Sequence, residues 1–94
     1  MTDYARLKIT IQGRVQGVFF RSETQRKAKK LGLLGWVKNN QDGSVSCLVE
    51  GPQDKLDQFV EWSYQGSPSA QVSNVEIEKQ EYQAEFKDFT ILPS

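Results

Sequence analysis

The spacing of hydrophobic residues constrains the fold of this 94-residue chain more than any other feature, because it changes between two periods along the chain. Apolar and polar residues alternate from Arg6 to Gln12, which is typical of a strand with one buried face. From Phe20 to Leu31 apolar residues recur at helical spacing while charged residues fill the remaining face, which predicts an amphipathic helix that ends at Gly32. The first two predicted elements are therefore a strand and a helix.

The rest of the chain predicts a hairpin, a second helix and two more strands. Two β-rich runs, Leu34 to Asn39 and Ser44 to Glu50, flank an Asp-Gly pair that suits a short antiparallel turn. Gly51-Pro52 is expected to open the second helix, since proline is accepted in the first helical turn, and Gly66 is expected to close it. The last predicted strands are Val72 to Lys79 and a short one within residues 86–91.

This order of elements, βαββαβ with a short tail strand, is that of an α+β, ferredoxin-like sandwich. It predicts an antiparallel sheet of four to five strands with two helices on one face, and the length allows one domain, residues 1–94. The first two strands of this fold are parallel, with the third between them. The loop 13–20 and the end of the second strand at Asn39 are therefore expected at one edge of the sheet, about 10 Å apart.

Composition excludes several classes of site and partner. Twelve Lys and Arg balance twelve Asp and Glu, so no net field would recruit nucleic acid or an anionic membrane. The absence of histidine removes Ser-His-Asp and Cys-His catalysis and the usual zinc sites. Cys47, the only cysteine, lies in an alternating run and is interpreted as an apolar filler. Neither a leader segment nor a membrane span is indicated, so a cytoplasmic protein, most simply a monomer, is expected.

The segment Gly13 to Arg21 (GRVQGVFFR) joins the first strand to the first helix and is a candidate anion site. Glycines allow the chain to turn and let a ligand approach the backbone, and successive amides in such a turn can converge on an anion. Arg21 lies in the first helical turn, where a cation opposes the helix dipole unless an anion is held there. The alternatives are a tight turn that binds nothing and a solvated arginine paired with Glu23.

This segment and a second one, Gly35 to Asn39 (GWVKN), resemble the two signatures of the acylphosphatase family. The turn Asp42 to Val45 follows in the order that the family has, and the similarity runs from the first strand to Ile91. The resemblance implies an enzyme that hydrolyses acyl phosphates to a carboxylate and inorganic phosphate. No cofactor is expected, and no metal is implied, because no cluster of carboxylates falls inside either segment and Asp42 is explained by turn chemistry.

The resemblance also assigns roles to residues of both segments. Arg21 is expected to clamp the phosphate, and Asn39 is expected to orient the water that attacks it. Backbone amides would complete the phosphate cradle, and the residues that supply them are Val15, Gln16, Gly17, Val18, Phe19 and Phe20.

Two other functions are compatible with the same fold. One is an RNA-recognition module with aromatic residues on the open sheet face, although the balanced charge provides no basic stripe. The other is a phosphate-binding or regulatory domain without catalysis, since a fold does not fix a function. Hydrolysis of benzoyl phosphate or acetyl phosphate would separate the enzyme from both.

Overall fold

The computed structural model describes residues 3–93, which form a five-stranded sheet and two helices. Each helix spans 11 residues, and within the described range neither is long and apolar enough to cross a membrane. The elements, in chain order, are β1 Tyr4–Arg14, α1 Phe20–Lys30, β2 Leu34–Asn39, β3 Val45–Pro52, α2 Gln53–Ser63, β4 Gln71–Gln80 and β5 Phe89–Ile91.

The strand order in the sheet is β4-β1-β3-β2-β5. Strand β3 is antiparallel to both β1 and β2, so β1 and β2 run parallel with β3 between them, as predicted. Strand β5 departs from the antiparallel sheet that was predicted. It pairs in parallel with β2, so the sheet is mixed. The chain leaves β4 at one end of the sheet and crosses to the opposite edge, so β5 must start from that same end and run alongside β2.

One hydrophobic core lies between the helices and one face of the sheet. Alternate residues of β1, such as Ile9 and Ile11, are fully buried there, which is what the period-two pattern predicts. Phe20 from α1 and Phe59 from α2 are buried in the same cluster. The ferredoxin-like α+β architecture predicted from the order of elements is therefore confirmed.

The boundary between β3 and α2 was predicted wrongly. Gly51 and Pro52 belong to β3, where they pair with Ala5 and Tyr4, and α2 begins only at Gln53. Pro52 has an extended backbone with φ of −60° and ψ of 140°, so it precedes the helix and does not open it. The pairing of β1 with β3 continues as far as Tyr4 and Pro52, so β3 includes both Gly51 and Pro52.

Glu50 fixes the segment that returns from β4 to β5. Its carboxylate is buried on the sheet face and accepts hydrogen bonds from the backbone amides of Gln83 (2.8 Å) and Glu85 (3.2 Å). Arg6 lies 3.6 Å from the same carboxylate and also contacts the side chain of Glu85. A buried charge requires such pairing, and here the pairing holds the return segment that leads into β5.

Gly35 shows why the second sequence segment begins with glycine. Its φ is +145°, and a Cβ atom at this position would lie 1.8 Å from the carbonyl oxygen of Leu48 on the neighbouring strand. Any larger residue would push β2 away from β3. Because β2 ends at Asn39, the close approach at Gly35 also sets where Asn39 stands.

Candidate active site

The loop between β1 and α1 turns through two residues in the left-handed region. Gly17 has φ of 73° and Phe19 has φ of 59°, whereas Val18 between them does not have a positive φ. Alternation of this kind points successive backbone N–H groups toward one side and produces an anion-binding concavity. Phe19 occupies the N-cap of α1 without a side-chain cap hydrogen bond, so no cap side chain takes up the first amides of the helix.

A cavity of about 330 Å³ opens beside this loop. Arg21 from the first turn of α1 and Asn39 from the end of β2 both contribute to its wall, so the two signature segments meet at one place. The other lining residues come from the loop, the start of α1 and the end of β5; they are Val15, Gly17, Phe19, Phe20, Ser22 and Ile91.

Asn39 carries an unusual polar atom. Its side-chain oxygen Oδ1 is buried and has no hydrogen-bond partner among residues 3–93. A buried acceptor without a partner costs about 1 to 3 kcal/mol, so native structures generally satisfy it with protein or water. An orphaned acceptor on a residue of the cavity wall is suited to hold a water molecule there.

Arg21 is half-buried and, of the described residues that line the cavity, it is the one with a charged side chain. Arginine stays protonated throughout the physiological range and presents several N–H donors in a planar fork that matches phosphate oxygens. The acid in the same turn, Glu23, lies 3.6 Å from Arg26 in an ion pair one turn along the helix. The cavity wall thus combines positive charge with amide donors at a helix start.

Gln16 and Val18 are not among the residues that line the cavity, and the contribution of their backbone amides to the cradle stays a prediction. The side-chain amide of Gln16 donates to the carbonyl oxygens of Asn40 (2.8 Å) and Ser44 (2.9 Å). The carbonyl of Val18 accepts a hydrogen bond from the hydroxyl of Ser67 at 2.9 Å. Both residues therefore tie the loop to its surroundings, Gln16 to the turn that follows Asn39.

Replacing Gln16 with alanine should loosen this tie. The substitution removes the two partly buried hydrogen bonds from Gln16 and leaves two carbonyls of the β2–β3 turn without this donor. We therefore expect the free energy of unfolding to fall by about 1 to 2 kcal/mol. The turnover of benzoyl phosphate should fall as well, because Asn39 adjoins the released turn. Denaturant unfolding and steady-state kinetics on the same sample measure both effects, and unchanged stability would contradict this role of Gln16.

The turn after Asn39 is held by hydrogen bonds between its own residues. Asp42 accepts hydrogen bonds from the hydroxyl (2.6 Å) and the backbone amide (2.9 Å) of Ser44, and these bonds lower the pKa of its carboxyl. Within residues 3–93 no three His, Cys, Asp or Glu side chains group together as metal ligands. Cys47 is fully buried in β3, and burial raises the pKa of its thiol to about 12, which suits an apolar filler.

Two residues of the cavity were not predicted from the sequence. Ser22 follows Arg21 directly, and its hydroxyl donates to the carbonyl of Phe19 at 3.0 Å. Ile91 reaches the cavity only because β5 pairs beside β2. Neither residue carries a local pattern that points to a site: Ser22 is an ordinary polar residue of a helix start, and the position of Ile91 depends on how distant segments pack.

Comparison with known proteins shows the family. The acylphosphatase family model matches residues 7–91. An acylphosphatase of Pelotomaculum thermopropionicum is 46% identical over 93% of this chain and 95% of its own length, and one of Pyrobaculum aerophilum is 44% identical over 98% of each. The crystal structure of acylphosphatase from Bacillus subtilis superimposes with a TM-score of 0.91 at 40% identity, covering 94% of this chain and 98% of that one.

These similarities extend over nearly all of the described fold, including most of β1, the loop beside the cavity and β2. The predicted activity, hydrolysis of acyl phosphates to a carboxylate and inorganic phosphate, is thereby confirmed at the level of the family. A small-molecule acyl phosphate is the substrate, and inorganic phosphate is a product. The chain belongs to the acylphosphatase family.

Proposed function

We propose that this chain hydrolyses its acyl phosphate in the cavity between the β1–α1 loop and the end of β2. Arg21 and the backbone amides of residues 15–20 hold the phosphoryl group, and Asn39 orients the attacking water. The observations that carry this assignment are that Arg21 and Asn39 line one cavity and that the buried Oδ1 of Asn39 has no partner among residues 3–93. A guanidinium donates hydrogen bonds to an anion, and an amide oxygen accepts a hydrogen bond from water.

The reaction requires little help with the leaving group. Cleavage of the phosphorus–oxygen bond releases a carboxylate, which is a stable anion near neutral pH, so no strong general acid is needed to expel it. The remaining tasks are to neutralise charge on the phosphoryl oxygens and to align water with the bond that breaks. Fixed donors around the phosphoryl group perform the first task, because they need no reorganisation when charge develops.

Asn39 performs the second task without acting as a base. A carboxamide is neither protonated nor deprotonated in the physiological range, so it orients the water through a hydrogen bond that its Oδ1 accepts. As the water oxygen attacks phosphorus, its proton goes to a phosphoryl oxygen. The substrate itself thereby accepts the proton, and the chain needs neither histidine nor metal for this step.

This mechanism predicts a flat dependence of kcat/KM on pH. No carboxylate, thiol or histidine lines the cavity among the described residues, so no essential side chain changes its charge between about pH 5 and pH 8. Initial rates with benzoyl phosphate at constant ionic strength should vary by less than about threefold across this window. A steep bell-shaped profile centred within it would require a titrating group and would contradict the mechanism.

The phosphate site is tested by hydrolysis of benzoyl phosphate in the presence of inorganic phosphate. The product anion should compete with the substrate, since both occupy the Arg21 and amide cradle. Activity without competitive inhibition would mean that the phosphoryl group binds elsewhere. A chelator should leave the rate of hydrolysis unchanged. Loss of activity when the chelator is added would contradict hydrolysis by side chains and amides alone.

We also propose that residues 1–94 form one domain that acts as a cytoplasmic monomer without nucleic-acid or membrane partners. A single core cluster contains residues from β1 to β5, which supports one domain. Equal numbers of acidic and basic residues support the absence of a polyanion partner. The single cysteine cannot form an intrachain disulfide, which suits a reducing compartment. Sedimentation analysis of the purified chain would test the oligomeric state.

A further inference from the structure

A phenylalanine at position 19 lowers the stability of the folded chain relative to a glycine at the same position. Its backbone lies in the left-handed region at φ 59° and ψ 23°, which disfavours any residue with a Cβ by about 1 to 2 kcal/mol. Its side chain is 81% exposed, so the ring gains almost no stability from burial. Glycine would adopt the same backbone without strain. Stability of the folded chain therefore does not account for a phenylalanine here.

The position of Phe19 relative to the phosphate site suggests what the ring does. Phe19 is the N-cap residue of α1, so it precedes the helix amides and stands two residues before Arg21. It also lines the cavity. A second exposed apolar side chain, Ile91 at the end of β5, is 38% exposed and lines the same cavity. Two elements far apart in the sequence thus each present an apolar side chain beside the phosphate cradle.

The in-line geometry of phosphoryl transfer indicates which part of the substrate meets these side chains. The attacking water and the leaving oxygen lie on opposite sides of phosphorus. In the arrangement proposed above, Asn39 holds the water through its Oδ1, an atom that is shielded from solvent. The leaving carboxylate, with the acyl group attached, must then point away from that atom and toward solvent. Of the described apolar residues that line the cavity, Phe19 and Ile91 are the exposed ones, whereas Val15 and Phe20 are buried.

The size of the cavity leaves room for such a group. A water molecule takes up about 30 Å³ in the liquid, so a cavity of about 330 Å³ exceeds what a phosphoryl group and one water fill. Apolar side chains with few polar groups are typical of sites that bind organic ligands. An aromatic ring at the cavity mouth can pack on the face or the edge of another ring.

We propose that Phe19 and Ile91 form the acyl subsite of this enzyme and select acyl phosphates with an aromatic or extended apolar acyl group. This proposal rests on the placement of the phosphoryl group proposed above. Phe19 contacts the acyl group and does not contact the reacting atoms, so it determines specificity. The contact between the ring of Phe19 and the acyl group accounts for a residue with a side chain at this strained backbone position.

The test compares benzoyl phosphate with acetyl phosphate, which share the phosphoryl group and differ in the acyl group. For each variant, kcat/KM is measured for both substrates and expressed as the benzoyl-to-acetyl ratio, so that a general loss of activity cancels. In Phe19→Ala and Phe19→Gly the ratio should fall about 2- to 12-fold, the value of one aromatic contact. The ratio should be restored in Phe19→Tyr, which keeps a ring.

The glycine variant guards against a folding failure, because glycine accepts the φ of 59° at this position. Phe19→Gly should unfold at a higher temperature than the parent while losing selectivity, a combination that a merely structural role of the ring would not produce. Ile91→Ala should lower the ratio in the same direction. Its matched control is Ile77→Ala on β4, an isoleucine of similar exposure that does not line the cavity, and its ratio should equal that of the parent.

An unchanged ratio in both Phe19→Gly and Ile91→Ala would overturn the acyl subsite. A fall of equal size in Ile77→Ala would overturn it as well. Failure of the phosphate site gives a different result, since inorganic phosphate would then fail to compete with either substrate in the parent enzyme. The two proposals can therefore fail separately.

Discussion

Arg21→Ala is expected to lower kcat/KM for benzoyl phosphate by about 10²-fold or more, the cost of deleting one essential donor to a developing anion. Of the described residues that line the cavity, Arg21 is the one with a charged side chain. The backbone amides that remain in the variant provide only partial charges. The same variant should lose most of its affinity for inorganic phosphate, because the positive charge binds the substrate and the product alike. Initial rates and product inhibition on one preparation measure both losses.

Arg26→Ala is the matched control for this prediction. Arg26 lies on the same helix, is exposed, and forms an ion pair with Glu23 at 3.6 Å, outside the cavity. Its removal should leave kcat/KM within about twofold of the parent, since surface ion pairs contribute little. Arg21→Lys should recover only part of the activity, because an ammonium keeps the charge but lacks the planar fork. Near-normal turnover and phosphate inhibition in Arg21→Ala would exclude the clamp.

Local sequence patterns determined most of the fold. The alternation in β1 and the helical spacing from Phe20 were sufficient because one face of each element is buried against a common core. Strand β2 was predicted with its observed bounds, Leu34 to Asn39, because a β-rich run ends there at an Asp-Gly turn that joins the two strands of a hairpin. The order of these elements then placed β3 between β1 and β2.

The parts that were not predicted depend on contacts between distant segments. Strand β5 has three residues, and its parallel pairing with β2 follows from a return segment that the buried carboxylate of Glu50 holds. The extension of β3 through Pro52 depends on its register with β1. Such features have no local signal, because a three-residue strand is too short to show a period.

The site was predicted unevenly for the same reason. Arg21 and Asn39 stand in segments that resemble the family, and the fold explains why they lie on one cavity. The orphaned oxygen of Asn39, the left-handed backbone of Phe19 and the place of Ile91 emerge only from the three-dimensional packing. These three features bear on the water and the acyl group, about which the sequence alone says least.

Asn39→Ala is expected to lower kcat for benzoyl phosphate by about 10²-fold while inhibition by inorganic phosphate stays within about threefold of the parent. The carboxamide acts on the attacking water, which is absent when phosphate binds as a product, so turnover and phosphate affinity should separate. This separation is the opposite of the result expected for Arg21→Ala, where both are lost. Steady-state kinetics with product inhibition measure kcat and the inhibition constant together.

Stability measurements distinguish this role of Asn39 from a structural one. The side-chain oxygen has no partner among residues 3–93, so the substitution breaks no hydrogen bond to this atom, and the free energy of unfolding should change by less than about 1 kcal/mol. Asn74→Ala, at an exposed asparagine on β4, should leave kcat unchanged and controls for the loss of a carboxamide as such. A large loss of stability in Asn39→Ala, or a parallel loss of kcat and phosphate affinity, would show that Asn39 shapes the phosphate cradle instead of orienting water.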